Sequence, residues 1–160
     1  MRSGSPPPPA RLLGGPKALG SAATHANREG RERAITLLYE AESRGADPAE
    51  LLDDQIVSSE FAREAVRGVD RLQEQIDELI ARKSKGWALD RLAAVDRAVL
   101  RLGTWELMEH DEASVGVILS EAVELAGQYS TAESKRFVNG LLAAIAAEVR
   151  PDSGSVTGDR

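Results

Sequence analysis

The chain has no cysteine, which excludes disulfides, thiolate metal sites and cysteine nucleophiles. Aromatic residues are only 4% of the 160, against 42% hydrophobic overall, so any core must be built mostly from Leu, Ile, Val and Ala. No apolar run approaches the roughly 20 residues needed to cross a bilayer. The N-terminus lacks the continuous apolar stretch of a secretory signal. The cytoplasm is therefore the expected compartment. Enzyme signatures are missing too. There is no G-x-x-x-x-G-K-[ST] phosphate loop, no G-x-G-x-x-G, no H-E-x-x-H and no G-x-S-x-G elbow. Only two histidines exist. His25 lies in a loose leader, and His110 sits at a helix end beside Asp111, where a surface cation suits the helix dipole. Acidic pairs such as Asp53-Asp54 and Asp111-Glu112 read as solvated loop charges. No catalysis, metal or cofactor is expected.

The net charge of −6 conceals an asymmetry. Residues 1–34 hold six Lys/Arg against two acids, and the remainder holds 14 against 24. An acidic body with a basic leading segment argues against broad coating of nucleic acid and leaves two readings, one local RNA-binding patch or a cationic tail without function, of which composition alone favours the second. The Pro6–Pro9 run and the Gly/Ser/Ala stretch after it mark residues 1–26 as a disordered leader. Residues 151–160 read as a second loose tail.

Between the tails every strong periodicity is helical. One helix is predicted from about Asn27 to Ser43, stopped by Gly45. Asp47-Pro48 begins a short second helix over Ala49–Asp53. A long third helix starts at Ser58 or Ser59 on the stripe Phe61, Ala65, Val69, Leu72, Ile76, Leu79, Ile80 and stops near Gly86. Asp90 is the expected cap of a fourth, with Leu92, Val95, Val99, Leu102 and Leu107 inside. Ser114 starts a fifth along Val115, Ile118, Ala122, Leu125 and Tyr129. Ser130 or Thr131 caps a sixth, in a capping-box pattern with Glu133. The fold class is all-α, a helical bundle.

Residues 131–145 carry the most information. Thr131 opens a helix, Lys135-Arg136-Phe137 follows, and Asn139-Gly140 sits inside the apolar run Phe137, Val138, Leu141, Leu142, Ile145. Glycine inside a helix costs about 1 kcal/mol relative to alanine, so a closely packed neighbouring helix is expected at Gly140. Two cations and an aromatic at a helix start suit a nucleic-acid backbone and a stacked base. At the first helix, Arg28, Arg31 and Arg33 oppose the dipole. A polyanionic ligand explains them, and so does pairing with Glu29 and Glu32. Tyr39 is either core or a stacking platform, and Trp105 reads as packing.

Two segments resemble the NusB family of transcription antitermination factors. One is Arg28 to Glu42, with arginines, then alanine, then Leu38-Tyr39. The other lies between Gly86 and Leu142 and contains Leu89-Asp90-Arg91-Leu92, Val95-Asp96-Arg97-Ala98-Val99-Leu100-Arg101, Glu121-Ala122-Val123-Glu124-Leu125-Ala126 and Phe137-Val138-Asn139-Gly140. The resemblance covers about residues 27–150. It implies a NusB-like RNA-binding domain of two small helical subdomains, six to seven helices in all. It also implies binding of boxA-type single-stranded RNA with NusE, a small-subunit ribosomal protein, within the RNA polymerase antitermination complex on ribosomal RNA operons. By position, Arg28, Arg31, Arg33, Tyr39, Lys135, Arg136 and Phe137 are the implied RNA-binding residues. Tyr39, Asp90, Asp96 and Arg97 are the implied partner-binding residues, the last three on an exposed face of the fourth helix. Homodimer formation is a further option when NusE is absent. The chain departs from the pattern where Asn27-Arg28-Glu29 interrupts an arginine run and where Gly127-Gln128 replaces a frequent lysine. Those losses of charge leave open an alternative, a helical interaction module that binds NusE without RNA.

Overall fold

The structure, a computed structural model, describes residues 22–85 and 88–152, the first five by backbone course alone. The expected leader through residue 21, the tail from residue 153, Gly86 and Trp87 lie outside the described residues. Seven α-helices are described: α1 Ala22–Arg44, α2 Pro48–Asp54, α3 Glu60–Arg71, α4 Gln73–Lys83, α5 Ala94–Glu109, α6 Val115–Tyr129 and α7 Ala132–Val149. A 3-10 turn, Leu89–Arg91, precedes α5. None of these helices is long and apolar enough to cross a membrane.

Local chemistry explains most boundaries. Gly45 takes a left-handed conformation, φ +63°, and ends α1. Asp47 accepts from the Ala49 N–H and Pro48 opens α2. Ser59, Ser114 and Thr131 cap α3, α6 and α7 by accepting from the backbone N–H three residues on.

Three expected helix boundaries fail. Helix α1 starts at Ala22, five residues before the expected boundary, and takes them from the supposed leader. The long third helix is two helices, broken at Leu72, whose φ −104° and ψ 18° leave the helical region. Its apolar stripe is buried as expected, but α3 packs on α1 and α5 whereas α4 packs on α5 and α7. The break lets one stripe serve two sets of neighbours. Asp90 caps nothing: it belongs to the 3-10 turn, and α5 begins after Ala93 without a side-chain cap.

Helices α1–α3 pack on one another, as do α4–α7, and α5 joins the two groups through α1 and α3. The apolar core is continuous across that junction. Helices α5 and α7 run parallel. At their starts, Ser134 Oγ donates to Asp96 Oδ2 at 2.8 Å. At their ends, the Arg150 guanidinium donates to the carbonyls of Glu106, Leu107, His110 and Ala113. One side chain thus satisfies carbonyls that the end of α5 would leave orphaned.

Gly140 does not face a neighbouring helix, since nothing lies within 4 Å of where its Cβ would stand. The close approaches occur elsewhere. A Cβ at Gly103 would fall 2.8 Å from Leu142 Cδ1, and one at Gly68 would fall 1.9 Å from Trp105 Nε1. Trp105 is buried as expected, but His110 is half-buried and not a solvated surface side chain. Its ring stacks on Trp105 at 5.8 Å and meets the edge of Phe61 at 5.2 Å. Gly68→Ala therefore pushes Trp105 out of this cluster. A loss of about 2–3 kcal/mol in denaturant unfolding is expected, with a shift in tryptophan fluorescence; an unchanged midpoint would contradict the packing.

Candidate nucleic-acid interface

The start of α7 is built from its cap. Thr131 Oγ1 accepts from the Ser134 N–H at 3.1 Å, while the Ser134 hydroxyl reaches Asp96 in the first turn of α5. This pins the next three residues. Arg136 and Phe137 line a groove between the starts of α5 and α7, together with Arg91, Leu92, Asp96, Glu133 and Ser134 among others. The cavity holds about 460 Å³. Lys135 turns the other way, onto α6. A Cβ on Gly127 would lie 2.7 Å from Lys135 Cδ, so glycine there opens the path for the lysine stem. Gly127, which replaces a charge in the patch, is what lets Lys135 lie across α6.

The first helix reaches the same α6. Arg28 donates to both carboxylate oxygens of Glu121, at 3.1 and 2.9 Å, and to Glu124 at 3.1 Å. Arg28 and Lys135 thus meet successive turns of one helix. Glu29 and Glu32 are not the hydrogen-bonded partners of these arginines. Glu32 lies close enough to influence Tyr129. Burial raises the Glu32 carboxyl above its ordinary range, Arg28 opposes the rise, and Glu29 and Glu121 add to it. Burial, then the Glu32 charge, raises the Tyr129 phenol, whose Oη is buried without a hydrogen-bond partner.

Arg31 is not on this surface. It is 2% exposed and gives a two-pronged ion pair to Glu106, itself 1% exposed, at 2.8 and 2.7 Å. Its guanidinium also lies 5.3 Å from the centre of the Phe61 ring. Its neighbour two positions on, Arg33, faces away and donates to Gln55 at 2.9 Å. Tyr39 is half-buried. It shares the helical stripe of Arg28 and Glu32, roughly 16 Å further along α1 from Arg28. One turn beyond it, Glu42 accepts from Arg97. The exposed face expected for Asp90, Asp96 and Arg97 breaks up. Asp90 is exposed, but Asp96 is 7% exposed and bound to Ser134. Arg97 is half-buried and held by Glu42 and by the carbonyls of Leu89 and Leu92. A buried pair on the α5 stripe could not be told from an exposed one by charge alone. Ser134, Arg91, Glu121 and Tyr129 were missed; the capping-box spacing pointed from Ser130 to Glu133, whereas the cap is Thr131 accepting from the Ser134 N–H.

The profile of the NusB family matches residues 28–147, three-quarters of the chain. The chain belongs to the NusB family. A transcription antitermination protein NusB of Kineococcus radiotolerans is 47% identical over 126 residues, which is 76% of this chain and 93% of that relative. One from Streptomyces avermitilis is 41% identical over 136 residues, 79% of this chain and 94% of the relative. Among solved structures, T. maritima NusB superposes with a TM-score of 0.72 at 34% identity, covering 80% of this chain and 96% of that one. A chain from the structure of the antitermination factors NusB and NusE in complex with dsRNA gives 0.69 at 30% identity, over 77% and 97%. The NusB fold therefore spans α1 to α7 here.

Removing one partner of the Arg31–Glu106 pair strands a buried charge. Arg31→Ala is expected to cost about 3–5 kcal/mol by urea unfolding, and the double change Arg31→Met with Glu106→Leu to recover most of it. Glu32 carries the opposite sign. An acid whose folded pKa is raised stabilises the fold only while protonated, and that contribution fades as pH rises through the raised value. Glu32→Gln should therefore melt higher than the parent at neutral pH, and the difference should close as pH falls through the carboxylate range. A lower melting point at pH 7 would contradict this.

Proposed function

We propose that this chain is a transcription antitermination factor that binds boxA-type single-stranded RNA together with NusE. It acts in the cytoplasm, within the RNA polymerase antitermination complex, and supports ribosomal RNA operons. The role is binding, and no catalytic step is assigned to any residue. Family membership carries the reading, and the convergence of charged and aromatic groups at the start of α7 supports it. Arg91, Lys135 and Arg136 are exposed and, among the described residues, form no salt bridge. They supply the phosphate contacts, and Phe137 supplies an aromatic wall for bases. Arg28 contributes only by exchange, because Glu121 and Glu124 already hold it. Arg31 acts through the fold by fixing where α1 lies. Arg33 is committed to Gln55. Asp90 on the 3-10 turn and Tyr39 on α1 form the edge that meets NusE, and Arg97 braces that edge. The solved complex of NusB and NusE with dsRNA supports this pairing of protein and nucleic-acid partners.

Fluorescence anisotropy of boxA RNA with and without NusE, across a salt series, tests the assignment. Lys135→Gln and Arg136→Gln should each weaken binding and lower the salt slope by about 1. Arg33→Gln should leave the slope unchanged. Equal slopes for all three variants would remove the α7 start from the RNA surface.

A further inference from the structure

The groove between the starts of α5 and α7 has a feature that phosphate binding does not need. Asp96 lines it, is 7% exposed, and uses only one carboxylate oxygen within the protein. Oδ2 accepts from Ser134, whereas Oδ1 is buried with no hydrogen-bond partner. A buried carboxylate oxygen left unpaired is costly, so an external donor has reason to enter. Two kinds of group can donate there: a basic side chain of a protein, or the edge of a nucleobase. The rim carries Arg91 and Arg136 with one exposed carboxylate, Glu133; the two guanidiniums outnumber it, which disfavours a basic side chain and attracts a phosphate. Phe137, Leu92 and Ala93 supply apolar wall on which a planar ring can lie. The cavity, about 460 Å³, falls in the range of small-molecule sites. Cations outside, apolar wall beside and an acceptor within describe a nucleotide.

Resting on the RNA-binding reading above, we infer that this groove takes one splayed nucleotide and that Asp96 selects guanine there over uracil. A carboxylate can only accept. Guanine presents two adjacent donors, N1–H and the 2-amino group. One reaches Oδ1, and the other faces Oδ2, which keeps a lone pair beside the Ser134 bond. Uracil offers a single N3–H flanked by two carbonyl oxygens, both repelled by the carboxylate. Asp96 is thus a specificity-determining residue, and Ser134 positions it.

The test uses the full chain with NusE and 12-nucleotide RNAs: all-uridine, and the same strand with one central guanosine, inosine or 1-methylguanosine. The guanosine strand should bind about tenfold tighter than all-uridine. Inosine, which lacks the 2-amino group, and 1-methylguanosine, which lacks the N1–H, should each lose most of that gain. Asp96→Asn should abolish the preference for the guanosine strand. Should that variant unfold, the inosine and 1-methylguanosine strands decide with the native protein. Equal affinity for guanosine and uridine strands, or a preference that survives Asp96→Asn, overturns the inference. Loss of NusE capture by Asp96→Asn with base preference intact also overturns it, by putting a protein group on Oδ1. Failure to bind either strand and boxA itself is a different result and sinks the RNA-binding reading.

Discussion

The buried pair of Arg31 and Glu106 determines how the two helical groups meet. Helix α1 belongs to one group and α5 to the other, and the pair places a full charge from each in an interior that admits almost no water. Such a pair tolerates little displacement, because the desolvation of two ions is repaid only while both hydrogen bonds hold. Phe61 of α3 lies against the guanidinium, so the third helix of the first group is gauged by the same contact. Where α1 lies decides where Arg28, Tyr39 and Glu42 stand. The surface is therefore set by a charge that never reaches it.

Helix α5 transmits that constraint to α7. Its first turn holds Ser134 through Asp96, and its last turn is held by Arg150 from beyond the end of α7. Two parallel helices pinned at both ends cannot slide, so Lys135, Arg136 and Phe137 are presented at a defined height. The first turn of α5 has no side-chain cap, so its first backbone N–H groups have no side-chain partner. Asp96 in that turn suits the dipole while offering an acceptor.

The surface itself is mixed in sign. Glu121 and Glu124 offset Arg28, so the positive field comes from Arg91 and Arg136 at the groove and from Lys135, which lies across α6 beside it. In an acidic chain this localises attraction for a polyanion instead of spreading it. A polyanion is thereby drawn to the start of α7, and association elsewhere is opposed by like charge.

Periodicity alone was enough to read the helices, because apolar spacing, caps and glycine stops act within a few residues. Asp47-Pro48, Ser114 and Thr131 mark boundaries found where local chemistry puts them, and the family-specific strings were legible as strings. The break at Leu72 was not legible, since the stripe passes through it unbroken and only the change of neighbours requires it. Nor was the fate of the charges. Arg28, Arg31 and Arg33 lie within six positions and look alike as letters. One is paired across α6, one is buried against α5 and one is tied to the loop after α2. Gly140 promised a close approach that occurs at Gly68 and Gly103 instead. Helix propensity is a property of neighbours in the chain, whereas burial and pairing are properties of neighbours in space. The sequence by itself determined the helices and the family; only tertiary packing decided which cations face solvent and that Asp96 keeps an unpaired oxygen in the groove.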